Sequence, residues 1–595
     1  MEKISDIRLS LDEGLDIERE MLADGFSQTL ATRLGVRRAS LCRLSVDARR
    51  KRDVHFVATA VPEVPAASVA LADRQLPERH LSEGLAGDAR PVVVGMGPAG
   101  LFAALELAEA GRCPIVIERG APMTERRADV ERFCRDRVLD VESNVQFGEG
   151  GAGAFSDGKL TTNTKSPYIA RIIETLIAAG APPDIAWRGK PHVGTDMLGD
   201  VTVALRERII ACGGEVCFHT RLVGLDMRNG QVTGVRVESC AGGAAVAGGA
   251  AGATGAAGAT GAASGAAGAA GAVGAAETAS GAGSVSAEER IPADGVILAV
   301  GHSARDVFEM LDAAGFELAP KAFSVGFRIE HLQADIDRAQ YGAAAGHPAL
   351  GAADYKLSCH AGGGRGVYTF CMCPGGEVVA AASEDGGLCV NGMSRHARDG
   401  ENANAALLCS VVPEDFAAGV RGWGGGSGAA GGSGAVGGAL AGVEFQRRIE
   451  QAAYRLGGGD WRAPVQRVGD FLAGGGGIAS ARSGSSGGSD VQPSYPLGVR
   501  ECDISECLPD FAVASIREAI FLLDRKLHGF ADAGAVLTGV EARSSSPVRV
   551  VRDPVTLEAT RARGIYPCGE GAGYAGGIVS AAADGIRCAQ ALMES

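Results

Sequence analysis

The chain has no run of about 18 uninterrupted apolar residues, which excludes an evident membrane-spanning helix. Its opening, Met1-Glu2-Lys3-Ile4-Ser5-Asp6, carries no secretory signal. No C-x-x-C occurs among its 15 cysteines, and no Cys/His clusters have zinc spacing, so no metal site is expected. Scattered thiols in a chain without a leader read as reduced residues of a cytoplasmic protein. Basic residues are in deficit, 57 against 71 acidic, for a net charge of −14. That balance opposes nonspecific nucleic-acid binding by the whole protein. Proline is missing from the Gly/Ala tract at 241–288, which rules out collagen despite glycines at every third position.

What is present suffices for a core: 46% hydrophobic residues in 595, enough for two to four domains. The organising stretch is 91–120. Pro91–Val94 reads as a buried parallel strand. Gly95-Met96-Gly97-Pro98-Ala99-Gly100 has the G-x-G-x-x-G spacing, and an alanine-rich helix follows to near Gly111. Ile115–Ile117 is a second strand, closed by Glu118, which lies 18 residues after Gly100. Gly95 permits the turn, Gly97 lets a pyrophosphate approach the backbone, and Gly100 lets the helix pack on the sheet. Pro98 and Ala99 open a helix whose unpaired N–H groups face phosphates. Glu118 suits an unphosphorylated ribose, so FAD or NAD is expected before NADP.

Taken in order, residues 1–88 read as a small α/β unit. A helix over 18–34 is expected, with Leu22, Phe26, Leu30 and Leu34 on one face. Strands at 40–46 and 54–60 flank the basic turn Arg49-Arg50-Lys51-Arg52-Asp53, either a solvated hairpin tip or an RNA contact. Residues 61–90 read as a linker. A charged helix covers 124–133, where Arg126 or Arg127 is within reach of a pyrophosphate, as is Arg119 before it. The glycine-rich segment 146–159 reads as a loop lying against a flat ligand, with Lys159 a possible donor. A helix over 197–212 leads into a meander at 215–218, 222–227 and 232–237, turned by Asn229-Gly230. The backbone near Val223 is expected at an adenine.

The tracts 241–288, 424–442 and 473–489 read as disordered surface insertions. After the first, a strand at 296–300 ends at Gly301, next to the cofactor, followed by His302, a candidate base. From 318 to 545 a second body holds strands, a C-x-C turn at Cys371 and Cys373, turns at 383–387 and 391–394, and helices at 445–456 and 516–527. Cys371 and Cys373 are a candidate redox dithiol. Near the end, a strand stops at Gly569-Glu570. Glu570 is then an acceptor for a ribityl hydroxyl, and the helix starting at Gly577-Ile578 places positive potential beside a flavin. Two such motifs, each with an acid, favour FAD, because NAD needs only the first.

These residues resemble a family of uncharacterised bacterial FAD-dependent dehydrogenases within the glutathione-reductase-like flavoproteins. The resemblance runs through 92–111, 146–160, 369–379, 390–407 and 566–585. It implies a small N-terminal α/β domain at 1–88. It also implies a Rossmann-like FAD domain at 89–317 plus 546–595, and an inserted α+β domain at 318–545. It names no reaction and no catalytic residue. The expectation is an FAD-dependent oxidoreductase of a small-molecule substrate, with NAD(P)H as a transient reductant bound near the flavin rather than in a separate nicotinamide domain. The alternatives are an FAD-dependent tRNA-modifying enzyme and a non-catalytic dinucleotide-binding protein.

Overall fold

Four strands run parallel and end level. Arg90–Val94, Ile115–Ile117, Glu289–Leu298 and Ile565–Pro567 place Val94, Ile117, Leu298 and Pro567 in one register. The computed structural model describes residues 3–62, 89–240, 288–417, 438–474 and 490–595. Most of the expected linker at 61–90 and of the three Gly/Ala tracts lies outside them. Glu215–Cys217 continues the parallel set beyond Ile115–Ile117. Successive side chains point to opposite faces of a strand. Val93 accordingly joins the core under the helices Pro98–Glu109 and Ile578–Glu594, while Val92 and Val94 pack with Val307 and Leu311 of the helix Arg305–Ala313. Burial on both faces is what a continuous apolar strand requires, and this is a Rossmann-like α/β sheet.

Glu289–Leu298 is long because it serves two partners. Its first half pairs antiparallel with Gln231–Ser239, which pairs in turn with Thr220–Arg228. Its second half lies parallel between Arg90–Val94 and Ile565–Pro567. The end of the chain is thereby threaded into the sheet begun at residue 90. The helix Ile578–Glu594 crosses Pro98–Glu109 backbone to backbone: a Cβ on Gly585 would sit 2.1 Å from Ala99 O. Small residues on both helices make that approach possible.

A second seven-stranded sheet is mixed. Its order is Ser358–His360, Gly366–Cys373, Asn402–Val411, Phe323–Leu332, Val536–Glu541, Ala463–Arg467 and Val499–Glu501. Its central strands Phe323–Leu332 and Asn402–Val411 are buried almost throughout, and the helices Ala441–Gly457 and Asp510–Asp524 join its core. The N-terminal strands Ile4–Leu9, His55–Pro62 and Ala39–Asp47 form a separate sheet. It docks on residues 187–189 through hydrogen bonds from Leu44 N to Trp187 O and from Gly189 N to Leu44 O.

Several expectations are corrected. The single helix over 18–34 is two, Leu11–Asp24 and Gln28–Leu34, because Gly25 adopts φ 69° and Ser27 caps the second. Leu22 is 55% exposed, and Ile17 and Met21 carry the buried face instead. The C-x-C is part of the strand Gly366–Cys373, and 391–394 lies in the strand Val390–Ser394 rather than a turn. No helix of the described residues is long and apolar enough to cross a membrane.

Candidate functional site

The level strand ends open into a cavity of about 250 Å3. Gly95 to Ala99 follow the first strand into it, Glu118 and Arg119 the second, Ala299 to Ala304 the third, and Cys568 and Glu570 the fourth. Open parallel sheets bind ligands at this carboxyl edge. The opposite wall comes from the second sheet and its flanks: Phe370, Cys371, Cys373, Asn391, Gly392, Glu541, Arg543 and Ser544.

Two helix starts face the cavity. Pro98–Glu109 begins at Gly97 and Ile578–Glu594 at Gly577, and neither has a side-chain cap. Their first-turn N–H groups lack helical partners and carry the positive end of each dipole. Gly95 has φ +95° and faces Ala299 O, which a Cβ would approach to 2.5 Å. A Cβ on Gly100 would come 1.9 Å from Gly95 O, so Gly100 packs the helix on the turn and does not line the cavity. Around Gly97 only Gly151 Cα comes within 4 Å of an added Cβ, at 3.8 Å. The glycine-rich segment thus lies across the first loop, held by Gly150 N to Met96 O at 3.0 Å.

Glu118 is 5% exposed, and its carboxylate accepts from Met96 N (2.8 Å), Gly120 N (3.0 Å) and Gly148 N (2.9 Å). It ties the glycine turn, its own strand end and the second glycine loop together at the cavity edge. Glu570 stands on the far side, with no hydrogen-bond partner for its carboxyl among the described residues. Burial pushes that carboxyl up to about 7, opposed by the nearby Lys321 ammonium.

Gly95, Gly97, Pro98, Ala99, Glu118, Arg119, Gly301, Glu570, Gly577 and Ile578 therefore line one cavity. Four expected residues do not. Arg126 is fully buried and gives its N–H groups to the carbonyls of Asn144, Val145, Gly148, Glu149 and Gly151. It shapes the glycine-rich loop and has no donor left for a phosphate. Val223 is the extra residue of a bulge between Leu222 and Gly224, and Thr220, Arg221 and Leu222 border the cavity in its place. Gly569 lies behind the lining, its N–H bonded to Asp584 Oδ2 at 2.9 Å. Gly100 acts in packing, as above. Arg119 reaches the cavity, but its guanidinium is held by Glu142 and by both oxygens of Asp306.

The sequence reading missed what fixes the two walls. Asp584 and Arg552 clamp the 567–569 turn, with Arg552 also bonded to Pro567 O at 2.7 Å. An acid inside an alanine-rich helix was the available signal. Asp584 lies with Cys568 and Cys588 at metal-ligand spacing, but the Arg552 guanidinium already occupies that cluster. On the opposite wall, fully buried Arg328 joins Glu541 (2.8 Å), Asn404 (2.7 Å) and Cys371 O (2.7 Å). Behind it, Glu450 accepts from Arg305 and Arg543 through both oxygens. Burial would raise Glu450, yet the two guanidinium groups hold it down to about 2.

Lys159 lines the cavity and donates to Met372 O. Cys371 is exposed to the cavity, but the enclosing protein, Glu541 and Cys373 push its thiol up to about 12. A thiol so held is not an activated nucleophile.

The residues present fit an FAD: two uncapped helix starts for the diphosphate, carboxylates at both ends, and a glycine backbone between them. Residues 322–544 match a family model described as FAD-dependent protein, C-terminal domain-like. An "Uncharacterized protein" of Clostridium beijerinckii is 40% identical over 603 residues, covering 100% of this chain and 98% of that one. Among solved structures, Thermovibrio ammonificans THI4 is 16% identical over 39% of this chain and 66% of its own, with a TM-score of 0.23. The glycerol-3-phosphate dehydrogenase of Bacillus halodurans, solved with FAD, is 10% identical over 54% and 47%, with a TM-score of 0.23. TM-scores this low carry no argument about function.

Proposed function

We propose that this chain, which belongs to the same family as the Clostridium beijerinckii protein, is an FAD-dependent oxidoreductase acting on a small molecule. One observation carries the reading: Glu118, Glu570 and two uncapped helix N-termini, brought from opposite ends of the chain, line the same cavity. FAD when bound supplies the hydride chemistry, and the protein binds it, orients it and excludes water. The family match at 322–544 supports the same cofactor. In this reading residues 89–317 and 546–595 form a glutathione-reductase-like FAD domain, 318–545 cover it, and 1–88 dock outside.

The cofactor-side residues are Gly95, Gly97, Pro98, Ala99, Glu118, Arg119, Gly301, Glu570, Gly577 and Ile578. NAD(P)H is the proposed transient reductant. In the basic hairpin Arg49 is paired with Asp47 and Asp53 with Arg8, while Arg50, Lys51 and Arg52 are exposed, and the net charge of −14 favours a small-molecule substrate over RNA. Purified protein titrated anaerobically with NADH and then NADPH tests the proposal. Loss of the flavin absorbance with one of them supports it. A flavin band that dithionite bleaches but neither nucleotide does removes NAD(P)H as reductant. Protein that neither carries nor takes up FAD refutes the reading.

A further inference from the structure

At the junction of the two cavity walls a hydrogen-bond chain fixes the direction of every proton in it. Ala381 O is a carbonyl and can only accept. Gln146 Nε2 donates to it at 3.4 Å, which turns Gln146 Oε1 toward the interior as an acceptor. Ser303 Oγ donates to that Oε1 at 3.1 Å. Ser303 Oγ therefore offers only lone pairs to its other neighbour, His302 Nδ1, at 3.1 Å. Nδ1 must carry the proton in that contact. A neutral imidazole then has its lone pair on Nε2. Nε2 has no hydrogen-bond partner among the described residues, and His302 lines the cavity.

We infer that His302 is a tautomer-locked hydrogen-bond acceptor whose Nε2 receives an imide-type N–H or a hydroxyl from the ligand in the cavity. Gln146 and Ser303 are its positioning residues, 8% and 5% exposed. The surroundings keep the ring neutral. Burial comes first, then the guanidinium groups of Arg543 and Arg305 and the Lys321 ammonium, against the single carboxylate of Glu450, and together they push the imidazole down to about 3. A ring so hard to protonate in the flavin-free chain is a weak base at neutral pH. It remains a good acceptor of a hydrogen bond at any pH where the fold is intact. Two ligands offer the right donor: the pyrimidine imide of a bound flavin, and a hydroxyl-bearing substrate beside it.

The tautomer is independent of the cofactor reading, whereas the flavin as source of the donor rests on it. The first measurement is therefore the nitrogen-15 NMR spectrum of histidine-labelled full chain, with and without added FAD. His302→Gln identifies the His302 signals among the ten histidines. The expected result is an unprotonated Nε2 and a protonated Nδ1, unchanged from pH 5.5 to 8. Gln146→Leu removes the acceptor that orients Ser303 and mixes the tautomers.

Binding of FAD to flavin-free protein then separates the sources. A three- to tenfold weaker dissociation constant in His302→Leu, recovered in His302→Gln, assigns the donor to the flavin imide. Unchanged FAD affinity in His302→Leu, with the tautomer confirmed, overturns the flavin imide as the donor. An Nε2–H tautomer, or a ring that titrates between pH 5.5 and 8, overturns the inference.

Discussion

The two walls of the cavity are built by different means. The Rossmann wall is backbone: glycine turns, helix starts and strand ends, with Glu118 accepting three backbone N–H groups. The second-sheet wall is side chain: Arg328 with Glu541, and Glu450 with Arg543, tied across to Arg305 of the helix on the Rossmann side, all drawn from segments far apart in sequence. A backbone wall tolerates loss of most side chains but not the addition of a Cβ at a contact. A charged wall behaves in the opposite way.

Removing Glu450 should therefore break the second wall. Glu450→Ala leaves two buried guanidinium groups without their carboxylate, and a loss of ~3–5 kcal/mol is expected in urea unfolding. Because its carboxyl is held below the ordinary value, its contribution is fully present above about pH 4.5 and fades as the pH falls toward 2. A cost below ~1 kcal/mol would mean that the network does not hold this wall. On the Rossmann side, Gly100→Ala forces a Cβ against Gly95 O and should cost ~1–3 kcal/mol. Gly97→Ala, with open space and φ −75°, should stay within ~0.5 kcal/mol of wild type. Equal costs at the two glycines would dissolve the distinction between packing and ligand-facing positions.

Glu570 sharpens the contrast, as a carboxyl on the backbone wall without a partner. Its folded value, about 7, lies above the ordinary carboxyl range, so the folded chain binds the extra proton. Stability of flavin-free protein should fall as the pH rises from about 4.5 through 7, by ~1–2 kcal/mol relative to Glu570→Gln. A wild-type to variant difference that does not change over that range would refute the assignment. The smallest effect is expected at Cys371. Cys371→Ser should leave the rate of anaerobic flavin reduction within about twofold, because a thiol this hard to ionise takes no part. A tenfold slower reduction would restore the dithiol.

The same contrast explains what the sequence made readable. The G-x-G-x-x-G turn, Glu118 and the Gly577 helix start are local patterns, and local patterns encode backbone geometry. Gly569 and Arg126 sat in the right segments yet turned away from the cavity, because their N–H groups found partners at Asp584 and at the carbonyls of 144–151. Val223 fell on a bulge that spacing alone does not reveal. Arg328, Glu450 and Glu541 were invisible for a different reason. Each looks like an ordinary charged residue until strands hundreds of residues apart are paired, and the same holds for the Gln146–Ser303–His302 chain.

The central claim is that one FAD lies along the backbone wall, with its diphosphate at Gly97. Flavin content of purified Gly97→Val, read beside its melting temperature, tests this most directly. The account expects a folded protein close to flavin-free wild type in melting temperature and devoid of bound FAD. A folded Gly97→Val that retains one FAD per chain would contradict it.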